Sequence, residues 1–202
     1  METADNKVFI TMFHKFSFKY RNKVIDSETM KSEKLVKLFT YLLMNHQRSL
    51  PSSELADMLW YFEDIDNPIG ALKNLVYRLR ALLKKEFGMS DFITTGKGAY
   101  SINPAYTISM DVSDFDICNN DLTNAQGNEA ELYQRLIQLY RGKFLSEIKG
   151  DHNILSKSAY YHSIYIGRVI EYANLLEENK EYAEMERLAR NAIEIDDLEE
   201  DL

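Results

Sequence analysis

One amphipathic segment, residues 67–85, constrains the fold of this chain more than any other. It reads NPIGALKNLVYRLRALLKK, so that Asn67 offers an N-cap and Pro68 stands at the first helical position, where its missing N–H costs nothing. Apolar side chains then recur at helical spacing and form one stripe, composed of Leu72, Val76, Leu79 and Leu83, with Leu75 and Leu82 on its flank. The pattern predicts a helix whose apolar face packs against other elements.

The opposite face of this helix is cationic and rich in hydrogen-bonding groups. Five basic residues occur between positions 73 and 85, and no acid appears before Glu86. Such a face suits a polyanion, and the major groove of DNA is wide enough to admit a helix. The alternative is a solvated charged surface, and the helix by itself does not decide between the two.

Charge divides the 202 residues into two unlike halves. Residues 1–105 carry 15 basic and 12 acidic residues, a net charge of +3, whereas residues 106–202 carry 9 and 20, a net charge of −11. Together they give the −8 of the whole chain. This division indicates that only the first half meets a polyanion. The second half either serves another partner or keeps the protein soluble.

Three features of the sequence indicate where in the cell the protein is located. Cys118 is the single cysteine, which excludes an internal disulfide and fits a reducing compartment. No run of 18 apolar residues occurs, so we expect no membrane span. The start, METADNKVF, lacks the basic residues and the apolar core of a secretion signal. We therefore expect a cytoplasmic protein without a membrane partner.

The elements predicted around the basic helix follow a definite order. They are two or three short antiparallel strands within residues 8–25, a helix over 33–46, a helix over 54–62, the basic helix, and a hairpin formed by 92–95 and 99–102 around Gly96-Lys97-Gly98. This order is that of a winged helix-turn-helix, in which the third helix enters the major groove. The hairpin then flanks it at the backbone or the minor groove.

Two details of the first two helices can be predicted. Ser32 is the expected N-cap of the first helix, and Ser52 or Ser53 that of the second. Trp60 ends the second helix, and a large aromatic side chain at helical spacing favours a core position. We expect it to anchor the core beneath the basic helix.

The second half of the chain is predicted to be mainly helical. Residues 106–118 read as an extended crossing segment that would place Asp114 and Asp116 on one side. Polar residues dominate the stretch that follows, and we place a domain boundary between Pro104 and Asn128. Helices are predicted over 129–141, 159–178 and 182–194, the last two joined by a turn at 179–181 into one helical-hairpin repeat.

Six stretches, in the same order and at the same spacing, resemble the SARP-type bacterial transcription regulators. They are LVKLFTYLLMN at 35–45, LPSSELADMLW at 50–60, ALKNLVYRLRAL at 71–82, ITTGKGAYSIN at 93–103, MDVSDF at 110–115 and LYRGKFL at 139–145. The resemblance implies an α+β chain, with a winged-helix domain over 1–105 and an all-α tetratricopeptide-like activator domain over 106–202. It also implies sequence-specific binding to tandem DNA repeats, contact with RNA polymerase, and pairing of two copies on DNA.

The chain departs from the family pattern at several positions. The family's wing often reads Gly-Gly-Tyr-Arg-Leu, whereas residues 98–102 read GAYSI, so Lys97 becomes the main basic residue of the wing. Tyr182 and Ala192 match the tetratricopeptide repeat, but Met185 and Asp197 do not. The chain ends at 195–202, where the family's next helix would begin, so it is either a fragment or a truncated regulator.

The residues expected to contact DNA project away from the apolar stripe or occupy the wing tip. Asn74 and Arg78 are the candidate base readers, because asparagine can bond adenine and arginine can bond guanine bidentately. Phosphate or general DNA contacts are expected from Lys73, Tyr77, Lys84 and Lys97. Arg80 lies on the flank of the stripe and either joins this surface or pairs with an acid such as Asp57.

No enzyme, metal site or cofactor is predicted. The four histidines stand far apart, and Gly96-Lys97-Gly98 leads into a strand, unlike a phosphate-binding loop. A capping or linker role is expected for Asp111, Asp114 and Asp116, and core positions for Tyr160, Tyr161, Tyr165 and Tyr172. The leading hypothesis is a DNA-binding transcription regulator. The alternative is a protein–protein adaptor whose winged helix no longer binds DNA.

Overall fold

The computed structural model describes residues 6–61, 63–124 and 127–197, which form two compact units. The first unit contains the described residues up to Ile10 together with Phe16–Ser109. The second combines Thr11–Lys15 with the described residues from Met110 onward. A short N-terminal segment therefore belongs with residues about a hundred positions later, which local sequence patterns do not indicate. No helix in the described ranges is long and apolar enough to cross a membrane.

The first unit combines short strands with helices. In chain order they are β1 (Lys7–Thr11), β2 (Ser17–Tyr20), β3 (Lys23–Asp26), α1 (Ser27–Met30), α2 (Glu33–Met44), β4 (Leu50–Pro51), α3 (Ser52–Leu59), α4 (Pro68–Phe87), β5 (Ile93–Gly96), β6 (Ala99–Ile102) and β7 (Thr107–Met110). The first sheet has the order β3-β2-β1-β7, and the second has the order β4-β6-β5. The predicted N-terminal strands, three helices and hairpin are confirmed as elements.

The core of the first unit is aromatic and is shared by the first sheet and α2. The ring centroids of Phe18 and Phe39 lie 5.0 Å apart, and Phe92, just before β5, lies 5.3 Å from Phe18. Helices α2, α3 and α4 pack against one another around this cluster. Each of these side chains is buried because alternate strand residues and one helix face point inward.

Three predictions about the first helices are revised. Ser32 occupies the N-cap of α2, but its side chain forms no capping hydrogen bond. Helix α3 begins at Ser52, so Pro51 holds the N-cap position and neither predicted serine caps the helix. Trp60 is half-buried, with the Lys34 ammonium 5.2 Å from its ring centroid. The expectation of a core position is met only in part, because the side chain keeps some exposure and a cation lies over its ring.

Four helices form most of the second unit: α5 (Asp111–Thr123), α6 (Glu129–Leu139), α7 (His152–Glu178) and α8 (Tyr182–Asp197). Each packs against the next, and the turn at 179–181 joins α7 to α8 as predicted. The main difference is that α7 begins at His152 instead of residue 159, because the Asp151 carboxylate caps the backbone N–H groups of Asn153 and Ile154. Residues 198–202, where the family's next helix would begin, lie outside the described residues.

The predicted extended segment at 106–118 was wrong in its second part. Strand β7 ends at Met110, and helix α5 begins at Asp111. Because successive helical residues point about 100° apart, Asp114 and Asp116 do not share one side as they would in a strand. The Asp111 carboxylate accepts hydrogen bonds from the backbone N–H groups of Met12 (2.9 Å) and Phe13 (3.0 Å), which ties the segment Thr11–Lys15 to the start of α5.

The tyrosines of α7 are divided between core and surface. Tyr161, Tyr165 and Tyr172 are buried, as expected, whereas Tyr160 is 55% exposed. Tyr165 stacks on Tyr140 with ring centroids 4.2 Å apart. The core-position prediction therefore fails for Tyr160 alone, because it lies on the outer side of the helix.

Candidate nucleic-acid interface

Helix α4 has one face that is fully buried and one that is fully exposed. The four stripe residues, Leu72, Val76, Leu79 and Leu83, are each no more than 1% exposed. Their burial fixes the rotation of the helix, so the residues between them must point outward. Both ends of the helix are also fixed. The Asn67 side chain accepts a 2.8 Å hydrogen bond from the Gly70 N–H, and Gly88, with φ of 76°, closes the last turn.

All the predicted contact residues of α4 lie on the outward face. Lys73, Asn74, Tyr77, Arg78 and Lys84 are exposed, and Tyr77 is 74% exposed. Asn74 and Arg78 are four residues apart, so they are neighbours on the helix surface, about 5–6 Å between their Cβ atoms. The two candidate base readers can therefore reach adjacent positions on one ligand.

The predicted contact residues of this face have no side-chain partner in the part of the chain that the structure describes. Lys73, Asn74, Tyr77, Arg78 and Lys84 form no side-chain hydrogen bond or ion pair with any other residue that the structure describes. By contrast, Lys85 lies 3.1 Å from the Glu86 carboxylate. The surface presents charge and hydrogen-bonding groups whose partners must come from water or from a ligand.

Arg80 has a different position from the other cations of α4. Its guanidinium donates two hydrogen bonds to the Ile93 carbonyl, at 3.1 and 2.8 Å, and one of 2.7 Å to the Thr95 hydroxyl. The suggested pairing with Asp57 was wrong, because the planar guanidinium is already directed at β5. Arg80 instead ties the hairpin to α4.

The hairpin turn consists of Lys97 and Gly98. Both residues have positive φ, 51° and 76°, as a two-residue type I′ turn requires. Gly96 and Ala99 pair across the base of this turn, and Lys97 is exposed at the tip. The strand pair thus presents one cation at the end of a rigid loop.

Two contacts fix the position of this wing tip. The Gly98 carbonyl accepts hydrogen bonds from the Ser52 N–H (2.9 Å) and the Ser52 hydroxyl (2.7 Å) at the start of α3. Strand β4 also pairs with β6, with Leu50 opposite Tyr100. Because Thr95 is bonded to Arg80, the tip is held beside both α3 and α4. The six predicted residues therefore lie on elements that are joined directly.

Sequence reasoning missed the residues that position this surface. Ser52 was expected to cap a helix and Arg80 to face DNA or an acid, whereas both hold the hairpin. The one available signal was the place of Arg80 on the flank of the apolar stripe. No group of three or more His, Cys, Asp or Glu side chains suited to a metal ion occurs among the described residues.

Comparisons with known proteins bear on the fold. Neither family models nor curated protein sequences give a match. Among solved structures, the chain is similar to EmbR of Mycobacterium tuberculosis in complex with a low-affinity phosphopeptide, with a TM-score of 0.63 and 13% sequence identity. The similarity covers 89% of this chain and 50% of the EmbR chain, so this chain spans half of that length. It supports a mixed helix-and-sheet fold like that of the matched part of EmbR.

Proposed function

We propose that this protein is a DNA-binding transcription regulator of the SARP type. Its first unit acts as a winged helix, with α4 in the major groove and the Lys97 wing on the backbone. The observation that carries the proposal is the outward face of α4, which is exposed, cationic and unengaged among the described residues while the opposite face is buried.

The chemistry of this face suits duplex DNA. Asn74 and Arg78 supply the two side chains that make bidentate contacts to adenine and guanine. Lys73 and Lys84 flank them and meet phosphates. The Tyr77 hydroxyl can donate a hydrogen bond to a phosphate oxygen of the DNA backbone. The wing adds one phosphate contact through Lys97. Specificity then depends on α4, and affinity on the surrounding cations.

The second unit is assigned to protein contacts. Residues 106–202 carry a net charge of −11, which opposes approach to phosphate. A stack of consecutive helices offers surface for a partner, and the resemblance stated above implies RNA polymerase and a second copy on tandem repeats. This role, like the cytoplasmic location and the division at residue 105, is part of the proposal.

A protein–protein adaptor is the second candidate. It is favoured by Ser101, which stands where the family often has an arginine and whose hydroxyl is 2.8 Å from that of Thr94 within the hairpin. The wing therefore offers one cation instead of two. Such a protein would keep the fold of the first unit without a usable DNA surface.

Selection of bound duplexes from a random pool distinguishes these candidates. The purified full chain is incubated with the pool, and bound DNA is amplified over several rounds. The regulator predicts enrichment of a repeated motif, with two copies one helical turn or a multiple apart. Retention of no sequence above the level of a control carrying Arg78→Ala and Asn74→Ala would favour the adaptor.

A further inference from the structure

The second unit contains a half-open cavity of about 350 Å³. Its floor is apolar and is formed by Phe144, Leu145, Ile148 and Ile154, all of which are buried. Ser158, one turn further along α7, closes one wall. The volume falls in the range of small-molecule pockets, about 300–1,000 Å³. The apolar floor makes this cavity suited to an apolar ligand body.

Basic residues line this cavity, although the unit is strongly acidic. Lys143, Lys149 and His14 line the cavity, and no aspartate or glutamate does. Residues 106–202 hold 20 acids and only 9 basic residues, so a cavity lining without an acid runs against the local average. Lys149 is exposed and forms no ion pair with any residue in the described ranges. The rim is complementary to an anionic group.

Two residues that line the cavity have a left-handed backbone conformation, which residues other than glycine rarely adopt. His14 has φ of 71° and Leu145 has φ of 47°. Hydrogen bonds impose these angles: the Leu145 N–H donates to the Met12 carbonyl (2.8 Å), the His14 N–H to the Lys143 carbonyl (2.9 Å), and the Ser146 N–H to the His14 carbonyl (2.8 Å). Outliers that are held in this way cluster at ligand sites. The cavity wall is thus preformed.

We propose that this cavity binds a small amphipathic carboxylate, a monocarboxylic acid with an aliphatic body. The carboxylate lies at Lys149, and the aliphatic body contacts Phe144 and Ile154. An apolar cavity of about 150 Å³ holds benzene, which has six non-hydrogen atoms. By proportion, the cavity of about 350 Å³ holds about 14 non-hydrogen atoms. The proposal goes beyond the function proposed above and does not depend on it, because the site lies within the second unit.

Calorimetric titration of the full chain with defined probes tests the head group and the chain length. Octanoate, decanoate and dodecanoate are used below their micelle concentrations, with decan-1-ol as the neutral control. Each added methylene is expected to raise affinity about fourfold until the cavity is filled. Decanoate is expected to bind about tenfold more tightly than decan-1-ol. Equal affinities for these two, or no binding of either, would overturn the proposal.

Three variants locate the binding within the cavity. Lys149→Glu should weaken decanoate binding about tenfold without changing that of decan-1-ol. Lys157→Glu is the matched control, since Lys157 is also exposed but does not line the cavity. Ser158→Leu should abolish binding of both probes by filling the cavity, with thermal unfolding as the check on its fold. Undiminished decanoate binding by Lys149→Glu contradicts the proposal even if Ser158→Leu does not fold. These titrations contain no DNA. Their results therefore test the cavity whether or not the protein binds DNA.

Discussion

At the scale of single residues, α4 carries two kinds of arginine. Three of the five N–H groups of the Arg80 guanidinium donate to the Ile93 carbonyl and the Thr95 hydroxyl, whereas Arg78 is exposed and has no partner among the described residues. Only a guanidinium with free N–H groups can present a bidentate fork to guanine. We therefore expect Arg78 to read a base and Arg80 to hold the hairpin in place.

Arg78→Ala is expected to reduce the preference for a specific over a scrambled duplex by about 1–3 kcal/mol, the worth of one bidentate base contact. Arg78→Lys is the matched control, because it keeps the charge but loses the planar fork. It should retain the salt dependence of binding and still lose discrimination. Competition titrations of both variants provide the measurement. A wild-type preference in Arg78→Lys would show that Arg78 is a phosphate contact and not a base reader.

Asp111 is the residue whose ionisation most directly affects the second unit. Burial raises the pKa of Asp111 to about 6, although hydrogen bonds from the Phe13 and Met12 N–H groups act in the opposite direction. The folded protein therefore binds a proton more tightly than the unfolded chain. This contribution to stability is present below pH 4 and is lost as the pH rises from about 4 to 6.

Asp111→Asn should remove this pH dependence. Relative to wild type, the free energy of unfolding of the variant is expected to rise by roughly 2–3 kcal/mol between pH 4 and pH 7. Denaturant titrations of both proteins at several pH values provide the difference. Asp116→Asn serves as the comparison, since burial also raises the pKa of Asp116. A difference between Asp111→Asn and wild type that does not change with pH would contradict the assignment.

At the scale of elements, periodicity identified the helices that bury one clear face. Helix α4 and helix α2 were predicted nearly to their ends, because their apolar residues repeat at 3.6 positions and their caps are local. Helix α5 was not predicted. Its acids at 114 and 116 alternate with Phe115 and Ile117 as in a strand, whereas the contacts that fix its start join Asp111 to Met12, about a hundred positions away.

The candidate site could be predicted only in part, because local sequence patterns do not encode contacts between distant residues. The outward residues of α4 follow from the position of its stripe, so they were correctly placed on the surface. The contacts that hold the hairpin join residues 13 to 46 positions apart, such as Arg80 to Ile93 and Ser52 to Gly98. No local pattern encodes such pairs. Their existence depends on how β4, β5 and β6 assemble.

The wing hairpin leads to a prediction about Lys97. Lys97→Ala should weaken binding to all duplex sequences by a similar factor and reduce the salt slope by about one unit. Lys97→Asn is the control for the turn, because asparagine followed by glycine favours type I′ geometry without a positive charge. Both variants should lose the same affinity, measured by fluorescence anisotropy. An unchanged slope in both would remove the wing from the interface.

At the scale of the whole molecule, the two units do not coincide with two continuous stretches of chain. Met12 and Phe13 are buried in the second unit, although they lie between strands of the first. Strand β7 also ends five residues beyond position 105. A cut at residue 105 would therefore remove β7 from its sheet, whereas a cut at residue 110 keeps it. Either cut leaves Met12 and Phe13 without their partners in the second unit. The preferred boundary for a fragment is residue 110.

A fragment of residues 1–110 is expected to bind a single half-site more tightly than the full chain at low salt, because the net charge of −11, which lies entirely in residues 111–202, is removed. It should lose cooperativity on a tandem site if the second unit pairs two copies. A fragment of residues 1–105 should fold less stably than 1–110. Titration of single and tandem sites with both fragments tests this. Weaker single-site binding by 1–110 than by the full chain would contradict the electrostatic argument.

The salt dependence of duplex binding by the full chain tests the central claim most directly. Three phosphate contacts, from Lys73, Lys84 and the wing residue Lys97, should make log K fall with log salt concentration at a slope of about −3. Anisotropy titrations between 50 and 200 mM salt, on a selected duplex and a scrambled one, provide the slope. We expect both duplexes to give similar slopes and different affinities. A slope near zero, or no binding at the lowest salt, would contradict the account of α4 as a DNA-binding helix.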